Sequence, residues 1–427
     1  MTTLNEAENV NSGYKFNYIL ALLLFLAWVL GGMDRMVMNF AVVGIGEEFN
    51  LSATQMGMVM SAFFIGYVLM QIPGGMMADK FGPRKILLVI ITVWSLFTGM
   101  TGLAISFATM LGVRFLFGVG EGSFFSSAQK AISISYPKKQ RGKALSMVLV
   151  SSGVVAIIAP VFSSKIMASY GWRPLFFIVG GMGLIVLILF WLFLKPGVGY
   201  VDEDEAAAKA ANVTLAKYNL GDLLKTPMMW SNFLGNFGCY TLVWGLNAWM
   251  PKYLIGAGVD LVSAGWLMSI PGIGALLGLL FAGPIHDRLT MKQSKMTTAV
   301  AMAFGAILLY MMYSGVSVPV IIIANTVLNL IAGYLAVFLP QLILKTIPTQ
   351  LIGTATGFAN VGGQLGSFCA PIAMGIIIDA FDGDVSKAFW YLFAVAVITF
   401  VILLTMSLET KKYFSKEPQM KATIENN

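Results

Sequence analysis

Residues 75–85 read GMMADKFGPRK, and residues 283–288 read GPIHDR. Each holds Gly-x-x-x-Asp followed by a basic residue: Gly75, Asp79 and Lys80 in the first, Gly283, Asp287 and Arg288 in the second. Each joins two long apolar runs. One chance copy of so short a pattern is common, but two copies at matching places are not. The chain therefore reads as two similar halves. Internal repeats on this scale mark transporters whose bundles move around a central site.

Working outward, apolar runs recur from residue 18 to residue 408. Each is near the ~20 residues needed to cross the hydrocarbon core. Twelve spans can be laid out, beginning at 18–45 and ending at 386–408, with the fourth at 108–133. The chain is 58% hydrophobic and 11% charged, where soluble domains carry about 25% charged residues. A transmembrane barrel would need alternating strands of about ten residues, which the sequence lacks. The expected fold is an all-α membrane protein of twelve transmembrane helices in two six-helix bundles. The divisions fall at 1–194 for the first bundle, 195–230 for a cytoplasmic linker, and 231–427 for the second bundle with a cytoplasmic tail. The linker carries the acidic run at 202–205 and an alanine-rich stretch, and reads as solvated with a short surface helix.

Other features exclude other classes. The first apolar run is too long for a cleavable signal peptide and has no small-residue cleavage site. Cys239 and Cys369 lie inside apolar runs, so neither a disulfide nor a metal site is expected. The net charge of +7 does not point to nucleic acid. It follows from loop lysines and arginines. One alternate set of loops holds eleven of them, including Lys80, Arg84 and Lys85, and the other set holds four. The positive-inside rule puts the first set, and both termini, in the cytoplasm. No Gly-x-x-x-x-Gly-Lys-Ser/Thr loop is present, so transport would run on ion gradients, with no cofactor and no enzymatic chemistry.

Residues 111–122, LGVRFLFGVGEG, place Arg114 and Glu121 in an apolar run. An ionised side chain at mid-membrane costs roughly 2.5–3.5 kcal/mol, so each needs a partner. Their spacing of seven puts them on one helix face. Gly118 and Gly122 form a small-xxx-small pair that lets another helix approach. The first span adds Asp34 and Arg35 just after Gly31-Gly32, a glycine pair that permits a kink or close approach. The four charges cancel, and an entering anion would unbalance them. Protonating a carboxylate restores neutrality, which is the physical case for proton–anion symport. Permanent structural ion pairs are the alternative. The second half offers neutral polar stripes instead. Asn236, Tyr240, Trp244 and Asn247 fall in the seventh span, Asn325 and Asn329 in the tenth, and Asn360, Gln364 and Ser367 in the eleventh. Such stripes suit hydroxyl groups, or serve interhelical hydrogen bonds. The sole histidine, His286, reads as a cytoplasmic loop residue.

The 75–85 segment resembles the loop signature of the major facilitator superfamily. Three stretches resemble its anion:cation symporter family, which includes sialin-like carriers and bacterial sugar-acid transporters. They are Asp34-Arg35 with Glu47-Glu48-Phe49; Ser61-Ala62-Phe63 through Tyr67 to the 71–75 run QIPGG; and Arg114 to Glu121. The likeness extends through 244–254 and 351–363 and covers nearly all twelve spans. It implies a multi-pass bacterial inner-membrane carrier, acting as a monomer, whose partners are a small organic anion, protons and the bilayer. It implies substrate contacts at Arg35, Tyr67, Arg114 and Asn360, and Tyr240, Trp244, Asn247 and Gln364 of the polar stripes are expected to join them. Where galactonate-type members carry a longer polar residue in the fifth span, this chain has Ser152. Their tenth-span aromatic appears here as Pro340 beside Gln341, and both Ser152 and Gln341 join the expected substrate set. Arg35 is expected to anchor the carboxylate, Glu121 to carry the proton and Asp34 to assist. Asp79, Arg84 and Lys85 are expected to latch the bundles in one state. Export of a drug or metabolite by proton exchange is the second transporter reading. A non-transporting membrane sensor is a third, disfavoured because no input or output domain is attached.

Overall fold

Local signals cut the apolar runs into helices. Capping boxes at Ser52 with Gln55, Ser106 with Thr109 and Thr290 with Gln293 start three of them. Each box satisfies two N–H groups that the first helical turn leaves without partners. The computed structural model describes residues 16–194, 213–214, 220–348, 351–410, 413–414 and 419–420. The first bundle holds α1 (Tyr18–Glu48), α2 (Ala53–Phe81), α3 (Pro83–Thr101), α4 (Phe107–Glu121), α5 (Phe124–Ser135), α6 (Lys138–Tyr170) and α7 (Trp172–Phe193). The short α8 (Leu220–Leu224) precedes the second bundle. That bundle holds α9 (Pro227–Gly256), α10 (Leu261–Arg288), α11 (Met291–Tyr313), α12 (Val318–Thr346), α13 (Ile352–Ala380) and α14 (Val385–Thr405). The acidic run at 202–205 lies outside the described residues.

Among the described residues, ten helices are long and apolar enough to cross a membrane. The other two of the twelve spans fall short for informative reasons. The fourth is not the single helix expected over 108–133. It breaks after Glu121 into pieces of 15 and 12 residues, each too short to span alone. The seventh, α9, has 30 residues but dilutes its hydropathy with Asn232, Asn236, Tyr240 and Asn247. Both departures from a plain membrane helix sit where the ionisable and polar candidates sit.

The expected close approach at the glycine pair is present. A Cβ at Gly118 or Gly122 would overlap the backbone carbonyl of Phe63 or Tyr67 in α2. The broken fourth span therefore lies directly against the second. Phe117 and Phe124 fill the first bundle's core beside it, and Trp249, Phe338 and Phe389 are buried in the second.

Hydrogen bonds across the seam between bundles lie toward the end carrying residues 49–52 and 257–260. Ser61 Oγ donates to the Phe368 carbonyl at 2.7 Å, and Ser269 Oγ to the Ile157 carbonyl at 2.7 Å. Asp379 reaches from the end of α13 to the first residues of α2. Phe64 meets Trp244 edge-on, 5.1 Å between centroids, nearer mid-membrane.

Candidate functional site

The four buried charges form two ion pairs, both between α1 and α4. Arg114 Nη1 donates to Asp34 Oδ1 at 2.5 Å, with side chains 1% and 2% exposed. Arg35 Nη2 lies 3.2 Å from Glu121 Oε1, with exposures of 12% and 0%. The sequence left open which arginine faces which acid. The answer comes from Arg35, which folds back one turn so that its Nε donates to the Gly31 carbonyl at 3.3 Å. This carries its guanidinium to the level of Glu121. Glu121 thus pairs with Arg35 rather than with Arg114 on its own helix, and Asp34 orients Arg114 rather than Arg35.

Gly31 makes this arrangement possible. A Cβ there would stand 2.6 Å from Glu121 Oε1. The glycine pair therefore serves close approach at this point. The Arg35–Glu121 contact is an ion pair without the alignment of a hydrogen bond, and both Glu121 oxygens lack a hydrogen-bond donor. Asp34 Oδ2 and Arg114 Nε are also unpartnered. Buried carboxylate oxygens in that condition can accept from a proton, a water or a substrate hydroxyl.

Aromatic rings wall the cations. Arg35 lies 5.3 Å from the Trp28 ring and 5.7 Å from that of Phe63, and Arg114 lies 4.6 Å from Phe117. Trp28 Nε1 donates to Ser152 Oγ at 3.1 Å, tying α1 to α6. Sequence reasoning passed over Trp28, although it stands seven residues before Arg35 on the same helix face.

A cavity of about 190 Å³ lies between the bundles. Ser152, Trp244 and Asn247 line it, as expected, together with Asn39 and Asn329. Asn39 was missed, although it stands one helical turn beyond Arg35. Tyr67 is buried beside Phe63, and Tyr240 is half-buried one turn before Trp244. Asn360 and Gln364 lie a turn apart on α13, and neither bonds another described residue. Other polar stripes are used internally. Asn236 donates to Asn232, and Asn329 to Asn325, each at 2.9 Å.

Two expectations, for Gln341 and His286, come out differently, and the loop residues Asp79 and Arg84 make their contacts within one bundle. Gln341 is not brought to the cavity, since its Nε2 donates to Asp287 Oδ1 at 2.9 Å. Asp79 pairs with Lys130 of its own bundle at 2.8 Å, Arg84 donates to the Trp191 carbonyl at 3.4 Å, and Lys85 is exposed. These contacts stay within the first bundle. They also reveal the repeat: an acid ending the second helix of each half, Asp79 or Asp287, meets the fourth span of that half at Lys130 or Gln341. His286 is not a loop residue. It is fully buried in α10, stacked 4.3 Å from the Tyr334 ring, with neither ring nitrogen hydrogen-bonded.

The comparisons with known proteins bear on the family and the fold. The family model described as Major Facilitator Superfamily matches residues 24–371. The "Probable sulfoacetate transporter SauU" of Cupriavidus necator is 28% identical over 386 residues, covering 84% of this chain and 86% of that one. The "Probable galactarate/D-glucarate transporter GarP" of Escherichia coli K12 is 27% identical over 410 residues, covering 88% and 91%. Among solved structures, a bacterial homologue of the human lysosomal transporter Spinster superposes with a TM-score of 0.73 at 19% identity, covering 94% and 97%. That likeness speaks for the fold. The match over most of the length, the repeated halves and the two-bundle architecture identify this chain as a membrane transporter belonging to the Major Facilitator Superfamily.

Proposed function

We propose that the chain imports an organic anion, a sugar acid, together with protons across a bacterial inner membrane by alternating access. The observation that carries this reading is the neutral double pair, Asp34–Arg114 and Arg35–Glu121, in which Arg35 alone is more than marginally exposed. A substrate carboxylate binding Arg35 bidentately competes with Glu121 for the same guanidinium. A displaced carboxylate without its cation in a dry interior is costly. A proton removes that cost, so anion entry and proton entry become one event. Arg114 keeps the site's second positive charge in place, with Asp34 as its partner and a secondary proton acceptor. Tyr67 of the first bundle and Tyr240, Asn360 and Gln364 of the second are proposed to contact the substrate near its carboxylate, outside the cavity that takes its hydroxyls.

The bias in loop lysines and arginines supports cytoplasmic termini. The bonded end of the seam then faces outward. Asp79, Arg84 and Lys85 act as a latch when the cytoplasmic end closes, and the Asp79–Lys130 pair holds them while it is open. The chain works as a monomer divided at 1–194, 195–230 and 231–427. None of the described residues lining the cavity is an acid that would hold a cation, which favours this reading over export of a cationic drug. Proteoliposome uptake of D-galactonate, D-gluconate and D-glucuronate tests it. Accumulation should follow an inwardly directed proton gradient and vanish with a protonophore. Failure of every sugar acid to accumulate under any ion gradient would overturn it.

A further inference from the structure

The charge of the substrate's far end can be read from the cavity, given the reading of Arg35 above. The Arg35 guanidinium lies 5.3 Å from the Trp28 ring, Trp28 Nε1 donates to Ser152 Oγ, and Ser152 lines the cavity, so a ligand held at Arg35 extends past Trp28 toward Ser152. There the cavity of about 190 Å³ opens between the bundles. Its polar groups are Asn39, Ser152, Asn247, Asn329 and the Trp244 indole, and none of the described residues lining it is charged. These groups donate and accept neutral hydrogen bonds, as hydroxyls require. They offer no cation to a second carboxylate.

Among the described residues, the nearest other cations are turned elsewhere. Arg114 is 1% exposed and bonded to Asp34. Lys252, further along the helix that carries Asn247, stands 3.6 Å from the Met56 sulfur toward the closed end of the seam. A single accessible guanidinium therefore meets a single anionic group. A neutral four-charge set also needs one proton per monoanion but two per dianion.

We infer that this carrier selects monoanionic sugar acids, aldonates or uronates with a neutral polyol end, against dicarboxylates of the same length. The selection lies in the uncharged cavity of Asn39, Ser152, Asn247 and Asn329. The inference contrasts with the dicarboxylate cargo for which the Escherichia coli relative is named. That relative is 27% identical, which leaves room for a different cavity lining.

The test is calorimetric binding to the purified full-length protein with matched pairs. D-galactonate and galactarate differ only in a terminal CH₂OH replaced by carboxylate. Isethionate and sulfoacetate give the same contrast at two carbons. The monoanion of the bound pair should bind at least tenfold more tightly. Ser152→Lys places an ammonium in the cavity and should narrow that ratio tenfold or more, with Asn39→Lys as the second variant should the first fail to insert. A dianion binding as tightly as its monoanion overturns the inference and leaves the anion-carrier reading intact. An unchanged ratio in a variant that still binds D-galactonate also overturns it, because the far end then sits elsewhere. If neither pair binds and no sugar acid is accumulated, the carrier reading fails and takes this inference with it.

Discussion

Asp379 and Thr54 join the two bundles at one end of the seam. The Asp379 carboxylate accepts from the Thr54 backbone N–H at 2.8 Å and from its hydroxyl at 2.6 Å. Its other oxygen accepts from the Ala53 N–H at 2.8 Å. One side chain of α13 thus caps the helix that opens the other bundle's second span. An acid at a helix N-terminus contributes typically ~0.3–1 kcal/mol, and up to ~2 when partly buried.

On the alternating-access reading proposed above, opening this end would break those three bonds. Asp379→Asn keeps one oxygen as acceptor and loses the charge. It should cost the closed seam about 1 kcal/mol, roughly a fivefold shift in population. Accessibility of cysteines placed in the 49–52 and 257–260 loops should rise accordingly. Labelling rates identical to those of the parent protein would show that the cap does not set the equilibrium.

Gly31→Ala tests the room that Glu121 needs. The added Cβ would start 2.6 Å from the Glu121 oxygen, and the carboxylate can move only by giving up its place beside Arg35. Overpacking of this kind costs about 1–3 kcal/mol. Gradient-driven uptake should fall by roughly tenfold or more, with the protein still inserted and monodisperse. Gly32→Ala is the control, since its Cβ meets Val155 methyl groups at 3.1 Å and not the charged pair. Equal effects of the two substitutions would argue that only packing was disturbed.

Arg35→Lys separates shape from charge. Lysine keeps the cation but loses the planar fork that grips a carboxylate with two bonds. It also lacks the second nitrogen that lets Arg35 donate to Gly31 through Nε while Nη2 pairs with Glu121. Substrate affinity should weaken by about ten- to a hundredfold, or ~1.4–2.8 kcal/mol. Calorimetric titration with D-galactonate measures this. An unchanged dissociation constant would remove Arg35 from the site.

Much of this was legible because charges and glycines are conspicuous in apolar sequence. Arg114 and Glu121 had to be buried and paired, and Gly118 with Gly122 had to face another helix. The pairing itself was not legible, because Arg35 reaches Glu121 by folding back along its own helix. That rotamer depends on the neighbouring α4, which local sequence does not reveal. His286 and Gln341 failed for a similar reason. His286 lies within the loop motif, yet α10 runs on to Arg288 and packs it against Tyr334 of α12, while Gln341 on α12 is drawn to the motif's Asp287. The break of the fourth span after Glu121 was hidden because residues 108–133 have no proline to announce it.

Glu121→Gln bears on coupling. Glutamine has nearly the shape of the acid and mimics its neutral form permanently. The Arg35 guanidinium then loses its competing partner, so substrate should still bind, as tightly as before or up to about tenfold more tightly. What disappears is the exchange of one negative group for another at Arg35, and with it the need for a proton. Raising external pH should therefore slow uptake by the parent protein and leave exchange by Glu121→Gln almost unaffected. The sign follows from the direction of coupling: fewer protons outside means fewer carriers that accept the anion in neutral form. Asp34→Asn should look different. Removing Asp34 leaves Arg114 buried without its carboxylate, which costs about 3–5 kcal/mol and should lower the yield of folded protein. The measurements are gradient-driven uptake and counterflow exchange in proteoliposomes between pH 5.5 and 8. Exchange without accumulation in Glu121→Gln is the expected pattern. Accumulation at the parental level would move the coupling proton to Asp34.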